Sequence, residues 1–270
     1  MSQALPLDIL ELIVDHLRYE PATLKACCLA SKSLIFRTRK YLFARIEFHA
    51  LKSPGVKLWK KAFPDPSNSP AHHTRTLFIY GIPSITTTDT AEGGWIHTFS
   101  HVAYLHVETL GSEGPASLVP FHGLSPVLKS LRLVYTHTPP SEILDLLCSF
   151  PLLEDLSLSS VHRSDRGGRW NIPSASPKLT GFLDITMMVG MHSFARSLCD
   201  LPGGLRFTKV SLVSLVEDLE PTAALVSKCS DTLESLSISY FLPGGLVLLP
   251  VAHKHLTITR RYEIVENVST

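Results

Sequence analysis

Histidine and cysteine are the residue types in this 270-residue chain best suited to metal or nucleophilic chemistry. Five cysteines stand at 27, 28, 148, 199 and 229, an odd number with no Cys-x-x-Cys or knuckle spacing. That pattern reads as buried, reduced thiols of an intracellular protein rather than a disulfide framework or a zinc site. Of thirteen histidines, His72-His73 and His253-Lys254-His255 cluster, but neither group has a carboxylate or cysteine at ligand spacing, so both read as surface histidines. The chain contains no Gly-x-Ser-x-Gly, His-Glu-x-x-His, Walker or Gly-x-Gly-x-x-Gly motif. Gly203-Gly204 and Gly244-Gly245 each follow a proline and read as turns. The expectation is a protein without metal, cofactor or catalytic residues, which acts by binding and is not an enzyme.

What it binds is bounded by charge. A formal net charge of +1 argues against nucleic acid as a partner. No apolar run reaches the roughly 20 residues of a membrane span, and Asp8, Glu11 and Asp15 interrupt any signal-peptide core. A cytoplasmic or nuclear location follows as an expectation. The stretch holding Arg163, Arg166, Arg169 and Trp170 has the chemistry to grip an acidic or phosphorylated motif. Gly167-Gly168 and the surrounding Ser and Pro make it read more simply as a loop.

The elements that position binding residues recur from residue 74 onward. Short segments with alternating apolar residues centre on Leu77, Leu105, Leu131, Leu156, Leu183, Val210, Leu236 and Leu256, in steps of 28, 26, 25, 27, 27, 26 and 20. Alternation predicts half-buried strands. A period near 26 residues falls in the range of leucine-rich repeats, whose coils stack because no single coil buries its own apolar side. Helical return segments are predicted at 141–150 (Ile143, Leu144, Leu147, Phe150), 190–199 (Met191, Phe194, Ala195, Leu198) and 221–229 (Ala224, Leu225, Cys229). The returns at 84–100 and 111–126 carry Gly and Pro and read as irregular. The Asn or Cys that regular repeats place after the strand is missing, with Leu110, Thr136, Val161, Leu215 and Phe241 at those positions. Residues between the inward leucines line one face of a parallel, concave sheet. Aromatic and charged members gather in the first repeats, and Ser and Thr dominate the later ones. Phe78, Tyr80, His106, Glu108 and Arg132 are therefore the candidate contacts for a substrate protein.

Ahead of the repeats, residues 5–48 read as three short helices. Ile9, Leu10, Ile13, Val14 and Leu17 form a wide apolar face, with Pro6 and Asp8 at the helix start. Leu24, Cys27, Cys28 and Leu29 follow on a second helix, and Leu34, Ile35, Leu42 and Phe43 on a third. Residues 49–73, ending in a Pro- and Ser-rich run, read as a linker.

A Leu-Pro-x-acidic opening (Leu5, Pro6, Asp8), an apolar helix (Ile9, Ile13, Leu17) and a second helix with Leu24 and Leu29 resemble an F-box. Ser31-Lys32-Ser33-Leu34 stands where that family tends to carry a small or basic pair followed by Trp, and Tyr41-Leu42-Phe43 at its apolar close. The whole looks most like the F-box proteins of mushroom-forming fungi. The resemblance implies an α/β chain: a three-helix F-box at 5–48, then a leucine-rich-repeat-like solenoid of about seven to eight degenerate repeats over 74–262. It also implies that Leu5, Pro6, Asp8, Ile9, Ile13, Leu17, Leu24, Leu29 and Leu34 dock on the adaptor subunit of an SCF-type cullin–RING ubiquitin ligase. The repeats would hold an unknown substrate protein. The alternative is a repeat scaffold without ligase association, whose helices serve as an N-terminal cap.

Overall fold

The computed structural model describes residues 5–49, 55–81, 93–108, 118–134, 138–159, 177–186, 191–215, 219–241 and 256–257. The fold is α/β, and every strand pairing among the described residues is parallel. The chain divides into two compact units, Met1–Ser130 and Leu131–Thr270.

The first unit opens with α1 (Leu7–His16), α2 (Pro21–Ala30) and α3 (Ile35–Leu42), the last preceded by a 3-10 turn at Lys32–Leu34. Pro6 and Pro21 sit at helix starts, where a missing N–H costs nothing. Asp8 in the first turn of α1 and His16 in its last complement the helix dipole. Val14, Leu24 and Leu34 form a small core, with Leu10, Leu17, Cys27, Tyr41 and Leu42 packed around it.

Next comes β1 (Arg45–His49), in which Ile46 and Phe48 point inward and Arg45 and Glu47 outward. It pairs in register with β2 (Thr76–Tyr80), which pairs with β3 (Tyr104–Glu108). Residues 45–48 thus belong to the sheet, not to the helical module. Nor is 49–73 a plain linker. Helix α4 (Gly55–Ala62) brings Trp59 against Phe43, Phe48, Phe63 and Phe99, with ring centroids 4.7 to 6.2 Å apart, and Ala71 is buried. The described parts of the irregular returns hold 3-10 turns at Gly93–Thr98 and Val119–Phe121, and Ile96, Phe99, Phe121 and Leu124 are buried there.

β4 (Ser130–Val134) spans the division between the units. The second unit continues with α5 (Pro140–Cys148), β5 (Asp155–Ser159), β6 (Phe182–Thr186), α6 (Met191–Cys199), β7 (Lys209–Leu215), α7 (Leu219–Lys228), β8 (Ser235–Phe241) and β9 (Leu256–Thr257). The expected register is found: Leu156, Leu183, Val210, Leu236 and Leu256 align across β5 to β9. The three predicted return helices form. On α7 the inward face is Leu225 and Val226 with Cys229 just beyond, while Ala224 is exposed, a rotation of the face from that expected. β-branched Val226 has more apolar surface to bury there than Ala224.

Five of the described strands are entered alike. The carbonyl of Ala44 accepts from the N–H groups of Arg75 and Thr76, that of Arg75 from Ala103 and Tyr104, and that of Ala103 from Lys129 and Ser130. In the second unit Gly181 and Thr208 accept in the same way from residues 208–209 and 234–235. Side chains add links between coils: Ser125 Oγ donates to Ser100 O at 2.9 Å and Thr232 Oγ1 to Phe207 O at 3.2 Å. These hydroxyls satisfy carbonyls where the strands begin, a different location from the missing Asn or Cys after the strand. Positions 110, 136 and 161, like 163–170, 244–245 and 253–255, lie outside the described residues.

Gly181 is required by a close approach. A Cβ there would lie 2.1 Å from Asp155 Oδ1, the oxygen that accepts the Phe182 N–H at 2.7 Å.

Candidate functional site

Two surfaces of the first unit carry the residues suited to binding. The first is the outward side of α1. Ile9, Leu12 and Ile13 follow i, i+3 and i+4 on α1, Leu5 stands just ahead of the helix, and each of the four is 43% to 58% exposed. Leu10 and Leu17, neighbours of Ile13 at i−3 and i+4, supply the inner face together with Val14. The apolar face of α1 is thus wider than its packing within the chain uses, and its outer part is exposed to water.

The orientation of α1 is held along its edge by charge. Arg37 of α3 donates through Nε to Asp15 Oδ1 at 2.6 Å and through Nη2 to Oδ2. Tyr41, one turn along α3, donates to the same Oδ1 at 2.8 Å, and Glu11 Oε2 stands 3.9 Å from Arg37 Nη1. The hydrogen bonds from Arg37 and then Tyr41 hold the Asp15 carboxyl down at about 2. Burial, then the Asp15 carboxylate, pushes the Tyr41 phenol up, so it remains a donor.

The structure redistributes the nine residues assigned to adaptor docking. Leu5, Pro6, Asp8, Ile9 and Ile13 are exposed together at the start of α1. Leu24 and Leu34 are buried in the three-helix core, and Leu17 is half-buried against it. A docking role for Leu24 and Leu34 is therefore corrected to a structural one, because three short helices need these side chains to fill their own interior. Leu29, expected on one apolar side of α2 with Leu24, is 90% exposed, whereas Leu24 is buried. Leu12 was missed; an apolar residue three positions from Ile9 was the available signal.

The second surface is the outward face of β1, β2 and β3. Its rows are Arg45, Thr76 and Tyr104; Glu47, Phe78 and His106; and His49, Tyr80 and Glu108. Aromatic rings pave it. His49 stacks on Tyr80 at 4.6 Å, Phe78 and Tyr80 are parallel at 6.0 Å, and His106 lies 5.3 Å from both. Arg45 lies over the Phe78 ring at 4.3 Å while its Nε donates to Glu47 Oε1 at 2.8 Å. That bond, with contributions from His49, lowers the Glu47 carboxyl below its ordinary value. Burial, then Glu47 and Glu108, pushes the Tyr80 phenol up.

Four of the five predicted substrate contacts, Phe78, Tyr80, His106 and Glu108, are thus brought together, with His106 itself buried beneath its neighbours. Arg132 is exposed on β4 in the second unit, and its neighbour Val134, expected on the open face, is buried. Arg45, Glu47, His49 and Tyr104 were not singled out as contacts. The alternation Arg-Ile-Glu-Phe-His was the signal for the first three. In the second unit the corresponding face is hydroxyl-rich: Ser157, Asp184, Ser211 and Ser237 are in register, and Ser157 Oγ donates to Asp184 Oδ2 at 3.0 Å.

The remaining candidates hold less chemistry. His72 and His73 lie 3.9 Å apart, with His73 edge-on to Phe36, and burial, then His72, lowers the His73 pKa. No group of three metal-ligating side chains occurs among the described residues. Burial pushes the Cys229 thiol up to about 11 and also raises Cys148 and Cys199, which keeps them protonated at neutral pH. Gly204 has φ of 68°, as a turn glycine does. Among the described residues no helix is long and apolar enough to cross a membrane. No family model matches the chain, and neither a curated protein nor a solved structure matches it.

Proposed function

We propose that this chain is the substrate-recognition subunit of an SCF-type cullin–RING ubiquitin ligase. Helices α1 to α3 serve as an F-box that docks on the adaptor. The coils that follow, read as degenerate leucine-rich repeats, hold a substrate protein on the open face of their strands. Such a subunit contributes proximity and orientation, and the bond-making groups belong to other subunits.

One observation carries the reading: the outward stripe Leu5, Ile9, Leu12 and Ile13 is exposed although the inner face of α1 is already filled. Were α1 to α3 a cap alone, this stripe would be the side packed on the coils. The contacts with the first coils are made by β1 and α4, through the β1–β2 ladder and the rings around Trp59. The stripe is left for a partner with a complementary apolar groove.

Affinity purification of the tagged full-length chain from cells expressing the adaptor and cullin tests this. Capture of both subunits is expected. Failure to capture the adaptor at all overturns the ligase assignment in favour of a scaffold without it.

A further inference from the structure

We propose that the open face of β1 to β3 selects a protein segment bearing an arginine or lysine, whose cation lies against Tyr80 and the Glu108 carboxylate. This rests on the reading of that face as the substrate-binding surface and adds the chemistry of what it takes.

The face already displays the arrangement once, within the chain. The Arg45 guanidinium lies over the Phe78 ring at 4.3 Å and is held there by Glu47. An aromatic face supplies quadrupole attraction and a carboxylate supplies charge, the two ingredients by which proteins hold guanidinium and ammonium groups. Two residues further along the strands the same ingredients recur. Tyr80 is in register with Glu108, and the rings of Phe78 and His106 flank it at 6.0 and 5.3 Å.

The second position differs in its counter-charge. Glu47 has Arg45 as its ion-pair partner, whereas Glu108 has a histidine, His106 Nε2 at 3.5 Å. Within the nine residues of the face there are two carboxylates and one guanidinium, so the surface is electronegative at its Glu108 end. Burial, and after it the Glu47 and Glu108 carboxylates, raise the Tyr80 phenol, in keeping with the negative charge beside that ring. An acidic or phosphorylated segment would meet repulsion there; an apolar one would leave the Glu108 carboxylate desolvated without compensation. A basic side chain satisfies both the carboxylate and the rings.

The probe is an array of immobilised random-sequence short peptides, read with the purified full-length chain and with its Glu108→Gln and Tyr80→Ala variants. Arginine or lysine should be enriched at one position of the bound peptides. Affinity for a selected peptide should fall on the order of tenfold in Glu108→Gln, and similarly when its arginine is replaced by neutral citrulline. Arg196→Gln, on the helical side of the second unit, should bind as wild type does. If Tyr80→Ala disturbs folding, as a melting curve would reveal, Glu108→Gln alone carries the test. Absence of binding, selection for acidic or purely apolar peptides, or cation selection indifferent to Glu108→Gln overturns the proposal. Neither adaptor nor cullin is present in this measurement, so its failure leaves the ligase assignment standing, and failure to capture the adaptor leaves this one standing.

Discussion

Leu24→Ala should melt the three-helix module while sparing the second unit. Leu24 is buried at the centre of a core whose other buried members are Val14 and Leu34. Truncating a buried leucine costs about 2–5 kcal/mol, with the upper part of the range where neighbours cannot collapse into the gap. A helical segment the size of residues 5–42 commands only about 2–6 kcal/mol in total, so a loss near 3 kcal/mol removes most of it. Hydrogen exchange resolved along the chain provides the assay. Amides of α1 to α3 should exchange about 150-fold faster, the equivalent of about 3 kcal/mol, while those of β5 to β8 keep their protection. Leu29→Ala on the same helix removes a side chain that is 90% exposed, and should change exchange by about twofold or less. Equal effects of the two substitutions, or a larger one for Leu29, would refute the assignment of Leu24 to the core and of Leu29 to the surface.

Acid should weaken the same module through Asp15. Its carboxyl lies at about 2 in the folded chain against an ordinary 3.8, so its contribution is complete above about pH 4 and is lost as pH falls through about 2. Circular dichroism should show Asp15→Asn less helical than wild type at neutral pH under mild denaturant, with the difference closing over that window. Gly181→Ala places a methyl where Asp155 Oδ1 accepts the Phe182 N–H. Loss of that charge-assisted bond should cost about 1.5–3 kcal/mol, read from denaturant midpoints; an unchanged midpoint would show that Asp155 contributes nothing there.

The periodic part of the fold is legible because burial acts on alternate residues. Leu77 and Leu105 align in one ladder, and Leu156, Leu183, Val210 and Leu236 in another, because each inward side chain has to meet its counterpart in the next coil. Strand β1 is harder to see, since Ile46 precedes Leu77 by a longer step that holds a helix, and its alternation begins directly after α3. That one omission hides three of the nine residues on the aromatic face. The exposed apolar surface of α1 is legible in composition but not in direction. The apolar face of α1 is wide, and only the neighbours decide which part turns inward: Leu24 and Leu34 against it, and the Arg37 and Tyr41 grip on Asp15 along the edge. Leu34 shows the consequence, since a residue that the resemblance assigns to docking is used to close the module's own core.

The most direct measurement is titration of the purified adaptor into the full-length chain and into its Leu12→Ala/Ile13→Ala double variant, with melting curves of both. Each of these side chains is about half exposed, so covering the remainder contributes about 1 kcal/mol apiece. The double variant should melt with the wild type and bind about 30-fold more weakly, about 2 kcal/mol. Equal affinity of the two proteins, or no binding by either, would contradict the account.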